Sequence, residues 1–225
     1  MTIAVVAAHP DDEVLGCGGV IARESARHQV HVVILGEGIQ ARYNRRNLTS
    51  RRRQAQLEAN ARAAAKVLGA ASIRFERLPD NQFDTVPLLA IVKRIERHIH
   101  ALRPEVIYTH HAGDLNADHV RTARAVLTAS RPTDGCPVRE VYAFEVPSST
   151  EWAFQRLGEA FRPNVFENIS TTLEQKLKAM RCYVGEIRSA PHPRSPEILR
   201  ALAQRWGSVV GVEAAEAFEL IRAIR

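Results

Sequence analysis

Cysteine is scarce in this chain. There are three, Cys17, Cys136 and Cys182, and they lie far apart. An odd, dispersed set argues against a disulfide framework and points to a reducing compartment, the cytoplasm. Without close cysteine pairs there is no thiolate zinc site either. Long apolar runs are also missing: none approaches the roughly 18–20 residues of a membrane span. The opening MTIAVVAAHPDDE has no basic region and no small-residue cleavage site, so no signal peptide is expected. Repeats and low-complexity linkers are absent. The 225 residues suit one domain, 1–225, with a sizeable core. Hydrophobic content of 45% and charged content of 25% are those of a soluble globular protein.

The formal net charge is +6, and much of the excess is local. RYNRRNLTSRRR carries Arg42, Arg45, Arg46, Arg51, Arg52 and Arg53. Such a cluster attracts an anionic group, for instance the diphosphate of a nucleotide-linked substrate, because guanidinium forks match phosphate geometry. The competing reading is a solvated basic loop. Tyr43 stands alone among the arginines, so the interleaved aromatics of a single-strand nucleic-acid binder are lacking and no nucleic acid is expected.

Apolar runs alternate with helical periodicity. Strands are expected at Ile3–His9, Gln29–Gly36, Ser72–Leu78, Glu105–His111 and Val138–Pro147, with a weaker one at Asn164–Ser170. Helices are expected between them, one ending at Gly69 and one stopped before Pro104. Past the sixth strand the pattern reads as helical in TLEQKLKAMRCYV, in EILRALAQRWGSVVG and in EAAEAFELIRAI. Strand–helix alternation implies an α/β, Rossmann-like three-layer fold, a mostly parallel sheet flanked by helices. Ligands in such folds sit beyond the C-terminal strand ends. His9 closes the first strand and His110 and His111 close the fourth, so these loops should share one crevice.

At the end of the first strand the chain reads HPDDE. Three acids beside one imidazole are tolerable around a cation. His9 and Asp12, three apart across a turn, reach one ion. A third ligand must come from HHAGDLNADH, which offers His110, His111, Asp114, Asp118 and His119. His119 falls in the first turn of the next helix, above the same sheet end. A His, Asp, His set leaves a position open for water, as catalytic zinc requires, although another divalent transition metal fits as well. Asp11 is then free to act as general base. The competing reading, Asp11 and Asp12 capping a helix, is compatible with this one. LGCGG faintly suggests a dinucleotide fingerprint, but acidic side chains fill the turn where pyrophosphate would approach. His28, His31, His98 and His100 read as structural or solvated, and Cys17 as a buried helix residue.

With AAHPDDE at one strand end and DLNADH after another, the chain resembles the PIG-L / LmbE-like deacetylase family. LPDNQFD, KLKAMRCY and HPRSPE follow the same order. The resemblance implies a zinc-dependent hydrolase that takes acetyl or related acyl groups from amino sugars, such as N-acetylglucosamine joined to inositol, lipid, antibiotic or nucleotide carriers. By matching position it makes His9, Asp12 and His119 the zinc ligands and Asp11 the base. It gives Asp118 the task of orienting His119 or a neighbour. Some members carry a histidine for the oxyanion three residues before the last ligand. Here Asn116 stands there, which leaves His110, His111 and His192 as candidates for a positive partner. Asp80 and Asn81 of LPDNQFD, with the six arginines, are substrate-binding candidates. The expected activity is release of acetate from an acetamido sugar or glycoconjugate. Hydrolysis of another bond, such as a phosphoester, and a non-enzymatic anion-binding module are the alternatives. A homo-oligomer is compatible with the sequence.

Overall fold

The structure is a computed structural model and describes residues 1–39, 48–133 and 135–225. β1 (Thr2–Ala7), β2 (Gln29–Gly36), β3 (Ser72–Leu78), β4 (Val106–His110) and β5 (Glu140–Phe144) pair in parallel. β6 (Val165–Asn168) and β7 (Ala215–Ala223) join antiparallel, giving the seven-stranded order β3-β2-β1-β4-β5-β7-β6. Helices α1 (Asp12–Glu24), α2 (Leu48–Leu68), α3 (Leu88–Leu102), α4 (Ala117–Ala129), α5 (Leu173–Met180) and α6 (Pro196–Val210) cover it.

β1 shows why the layers are three. Its residues alternate between two cores: Ile3 and Val5 pack with residues of α1, α2 and α5, while Ala4 and Val6 pack with residues of α3 and α4. A strand with apolar side chains on both faces can only be central. From β1 the chain builds outward to β2 and β3, and from β4 outward to β5. The loops after β1 and β4 therefore part in opposite directions and leave a crevice at the C-terminal edge. Among the described residues no helix is long and apolar enough to cross a membrane.

One expected element is corrected. EAAEAFELIRAI is not helical; Ala215–Ala223 is strand β7. Its alanine, glutamate and leucine content favours helix in isolation. Its first four residues are all buried, and the segment is paired on both sides by β5 and β6. Ladder bonds and burial on both faces outweigh a propensity of a few tenths of a kcal/mol per residue.

β7 also explains the glycines of LGCGG. α1 breaks at Cys17, whose φ of −146° is not helical. The break orphans backbone groups, and two buried side chains take them. Glu216 of β7 accepts from Gly19 N at 2.9 Å and Val20 N at 2.8 Å. Lys176 of α5 donates to Leu15 O at 2.8 Å and to Glu216 at 2.5 Å. A Cβ at Gly16 would come within 2.3 Å of the Phe144 ring, so glycine there lets α1 settle onto β5. Lys176 and Glu216 are both at least 95% buried. Lys176→Met leaves a buried carboxylate without its cation and is expected to cost about 3–5 kcal/mol. Denaturant unfolding measures it, and a loss near zero would show that the pair is dispensable.

Candidate metal and catalytic site

The turn after β1 carries the densest chemistry. His9 N donates to Asp12 Oδ2 at 2.8 Å, which folds the Asp12 side chain back over the turn. From α4, His119 reaches the same oxygen: its Nε2 lies 3.2 Å from Asp12 Oδ2, and His9 Nδ1 lies 3.5 Å from it. Two ligands held at 2.0–2.1 Å by a tetrahedral ion stand about 3.3 Å apart, so the spacing suits one divalent cation. A second observation agrees. Both ring nitrogens of His119 are buried without a hydrogen bond. The approaches of Asp12 and Asp114, the latter 3.1 Å from Nδ1, are close but not aligned for proton sharing. An orphaned imidazole facing carboxylate oxygens is a poor arrangement for protein alone and a good one around a cation.

The other ring nitrogens face carboxylates. His9 Nε2 bonds Asp118 Oδ2 at 2.9 Å, and Asp118 Oδ1 accepts from Phe83 N at 2.9 Å. Asp118 therefore orients His9 rather than His119. Asp114 stands behind His119 and is itself held by Asn116 N, Ser149 Oγ and Thr150 Oγ1. Carboxylates behind metal-facing imidazoles fix ring and tautomer. His9, Asp80 and Asp118 also converge. That set suits a cation less well, because both oxygens of Asp118 are already engaged.

The electrostatics show how strongly the cluster wants positive charge. Burial opposes protonation of His9, but bonds to Asp118 and Asp12 and the charges of Asp12 and Asp80 bring its pKa up to about 10. Burial opposes it at His119 too, and the Asp12 charge and the Asp114 contact raise that pKa to about 9. Burial would raise Asp12; the charge of His119 and contacts with both imidazoles hold it well below the ordinary carboxylate range. A metal would supply in one ion the charge that two protons otherwise bring.

Asp11 stands beside this set. It occupies the N-cap position of α1 at φ 103°, and its side chain makes no capping bond. Instead Oδ2 accepts from Arg194 Nη1 at 2.7 Å. Burial raises the Asp11 pKa, Arg194 pulls it down, and Asp12 and Glu186 push it up, to about 7. Arg194, from the loop before α6, also donates to Ser148 Oγ at 2.8 Å.

These groups line a cleft of about 410 Å³. His9, Asp11, Asp12, Asp80, Asn81, Asn116 and His119 are in its wall. So are Ser148, Ser149, Trp152, Glu186 and Arg194, which sequence reasoning missed. Arg194 and Glu186 sit in segments following the last parallel strand, and only HPRSPE gave a signal. Asn116 caps α4 through Asp118 N at 2.8 Å, and its Nδ2 donates to Asn81 at 3.1 Å.

The remaining candidates lie elsewhere. His110 Nε2 accepts from Ala8 N at 2.8 Å, and burial and the His119 charge lower its pKa to about 3. It is a neutral ring stacked on His119 at 4.0 Å, not a cation. His111 is tied to Glu219 at 2.7 Å and to the Glu159 carbonyl at 2.8 Å, outside the cleft. His192 is not in the cleft wall; it meets the edge of Trp152. Arg42, Arg45 and Arg46 lie outside the described residues. Arg51, Arg52 and Arg53 are exposed on the first turns of α2 and do not line the cleft.

The profile of one family, PIG-L (GlcNAc-PI de-N-acetylase), matches residues 4–130. The chain belongs to the PIG-L family. A comparison with curated proteins finds no match. Several solved structures share the fold. N,N'-diacetylchitobiose deacetylase from Pyrococcus horikoshii is 19% identical, with TM-score 0.78 over 98% of this chain and 84% of the other. GalB, the 4-carboxy-2-hydroxymuconate hydratase from Pseudomonas putida, is 24% identical, with TM-score 0.79 over 100% and 97%. The zinc-inhibited form of a teicoplanin deacetylase is 15% identical, with TM-score 0.75 over 99% of each chain. The match ends near the close of α4, so the PIG-L profile contains both the HPDDE turn and the Asp118–His119 pair.

In this PIG-L chain His111 reads as a structural cation. Burial lowers its pKa, but Glu219 outweighs burial and raises it above 6.5. Burial raises Glu219, and His111 brings it below 4.5. A raised histidine stabilises below its unfolded value and loses that as pH climbs through the folded pKa; a depressed glutamate stabilises above its unfolded value. Both contribute between about pH 4.5 and 6.5. Glu219→Gln should therefore lower the melting temperature most between about pH 4.5 and 6.5, with the gap from wild type narrowing as pH rises through the folded His111 pKa. A gap independent of pH would mean the contact is not ionic.

Proposed function

We propose that the protein is a divalent-metal-dependent hydrolase that removes an N-acetyl group from an amino sugar or glycoconjugate, releasing acetate and a free amine. One observation carries the reading. An orphaned imidazole, His119, converges with His9 and Asp12 on one point, and a separately anchored carboxylate, Asp11, opens into the same cleft.

His9, Asp12 and His119 would hold the ion, zinc by preference. When bound, it polarises the acyl carbonyl and lowers the pKa of a water at its open position. Asp11 takes the proton from the attacking water and returns it to the departing nitrogen. A pKa near 7 allows both directions of transfer near neutral pH. Arg194 keeps Asp11 aimed into the cleft. Asn116, at the position some relatives give to histidine, supplies a neutral N–H at most. Asp80 and Asn81 face the cleft where sugar hydroxyls would sit.

The whole of 1–225 is taken as one catalytic domain, because Ser148, Glu186 and Arg194, all beyond the profile match, complete the cleft wall. Three free, separated cysteines support a reducing setting, which we take to be the cytoplasm. An anionic, nucleotide-linked substrate remains part of the proposal through the arginine run.

A second reading has its own support. The likeness to GalB, with Arg194 as the one lysine or arginine lining the cleft among the described residues, suits hydration of an unsaturated carboxylate. A panel of free and nucleotide-linked N-acetyl sugars scored for acetate, beside unsaturated dicarboxylates scored for loss of their ultraviolet band, separates the two.

Two variants test the site. Elemental analysis should find about one divalent ion per wild-type chain and far less in His119→Ala; equal content would remove His119 from the ligand set. Asp11→Asn should keep its metal and lose on the order of 10²–10⁴-fold in turnover. Near-normal turnover in Asp11→Asn would end the proposed proton route.

A further inference from the structure

The glutamate of HPDDE and the tyrosine of KLKAMRCY have no part in the chemistry above, yet they meet in the interior. Glu13 and Tyr183 are both fully buried. Tyr183 lies just beyond α5, and its hydroxyl donates to Glu13 Oε1. The other oxygen, Oε2, accepts from the backbone N–H of Asp11 at 3.1 Å.

That N–H belongs to the most unusual residue of the site. Asp11 sits at φ 103°, a region that strongly favours glycine. A strained residue persists only where its surroundings over-determine it. Three bonds do so here. Asp11 O accepts from Val14 N and Leu15 N at 3.0 and 2.9 Å, which fixes one peptide plane to α1. The Glu13 bond fixes the other. An aspartate at an N-cap ordinarily folds back onto its own helix; this one is turned outward to Arg194.

We propose that Glu13, anchored by Tyr183, is the positioning residue for Asp11: it holds the turn in the conformation that sends the Asp11 carboxylate into the cleft. The functional half of this inference rests on Asp11 being the base; the geometric half does not. Glu13 has two acceptor oxygens facing two donors. Methionine, close in shape, offers neither, so Glu13→Met leaves the Asp11 N–H and the Tyr183 hydroxyl without their acceptor.

The test has a structural arm and a kinetic arm. In a crystal structure of Glu13→Met, Asp11 should leave the positive-φ region and its bond to Arg194 should open. In solution, Glu13→Met should lower kcat on the order of 10- to 10²-fold, as a misplaced reacting group does, with KM and metal content unchanged. In an Asp11→Asn background the same change should cost nothing further, which a general loss of stability would not reproduce. Tyr183→Phe should move both readouts the same way by less, and it carries the test if Glu13→Met does not fold. An unmoved Asp11 in the variant structure overturns the proposal, and so does an equal loss of kcat in both backgrounds. If wild type releases no acetate, the deacetylase reading fails by itself and the structural arm still decides this one.

Discussion

Asp12, Asp80, Asp114 and Asp118 are all buried within reach of two imidazoles, and burying so much negative charge is affordable only around a cation. The surrounding structure holds these acids in place. Asp118 takes a backbone N–H from the loop after β3, and Asp114 takes two hydroxyls from the loop after β5. Asp114 is brought down to about 2 despite its burial, by His119 and by Ser149 and Thr150. These two acids are thus tied to loops at different strand ends. The loops are positioned by the cluster as much as the cluster is by the loops.

The sheet makes that convergence possible. The strand order reverses between β1 and β4, and the two imidazoles of the cluster come from the segments that follow these strands. A parallel sheet with both faces covered cannot shift its central strands without disturbing two cores, so the histidines are anchored at their backbones. The rest of the wall comes from the later loops. Arg194, Glu186 and Trp152 reach the cleft from segments that hold no parallel strand, and they complete a wall whose floor the first half of the chain has already laid.

This division explains how much the sequence disclosed. His9, Asp11 and Asp12 are adjacent, and strand periodicity placed them at a sheet edge. The Asp118–His119 pair follows from the same logic at β4. Which acid served which ring could not be read, because partner choice turns on ångström-scale side-chain placement: Asp118 serves His9, 109 residues away. His110 and His111 are neighbours with opposite fates, since alternate strand residues face opposite sides. One accepts an N–H from β1's end and stays neutral, and the other pairs with Glu219 on β7. The strand β7 itself was hidden by helix-favouring composition. Its role is set by β5 and β6 and by the broken helix that Glu216 repairs, none of which is local.

A fold that serves both deacetylases and a hydratase does not determine a reaction, so the argument must rest on side chains. The informative pair is Arg194 and Asp11. Its 2.7 Å contact uses the guanidinium that a carboxylate substrate would seek. In the proposed deacetylation an uncharged acetamide would enter without disturbing it, and Asp11, as the base, would keep both its aim and its basicity. A carboxylate substrate would compete with Asp11 for the same guanidinium, and winning that competition would release the base from the group that aims it. Asn116 adds to the constraint: it is committed to capping α4 and to Asn81, so it cannot deliver a positive charge to a developing oxyanion. In the proposed reaction that charge would come from the point where His9, Asp12 and His119 converge. The proposed amide hydrolysis would draw its positive charge there and leave Arg194 to hold Asp11, so the two cationic tasks of the cleft would fall to different groups.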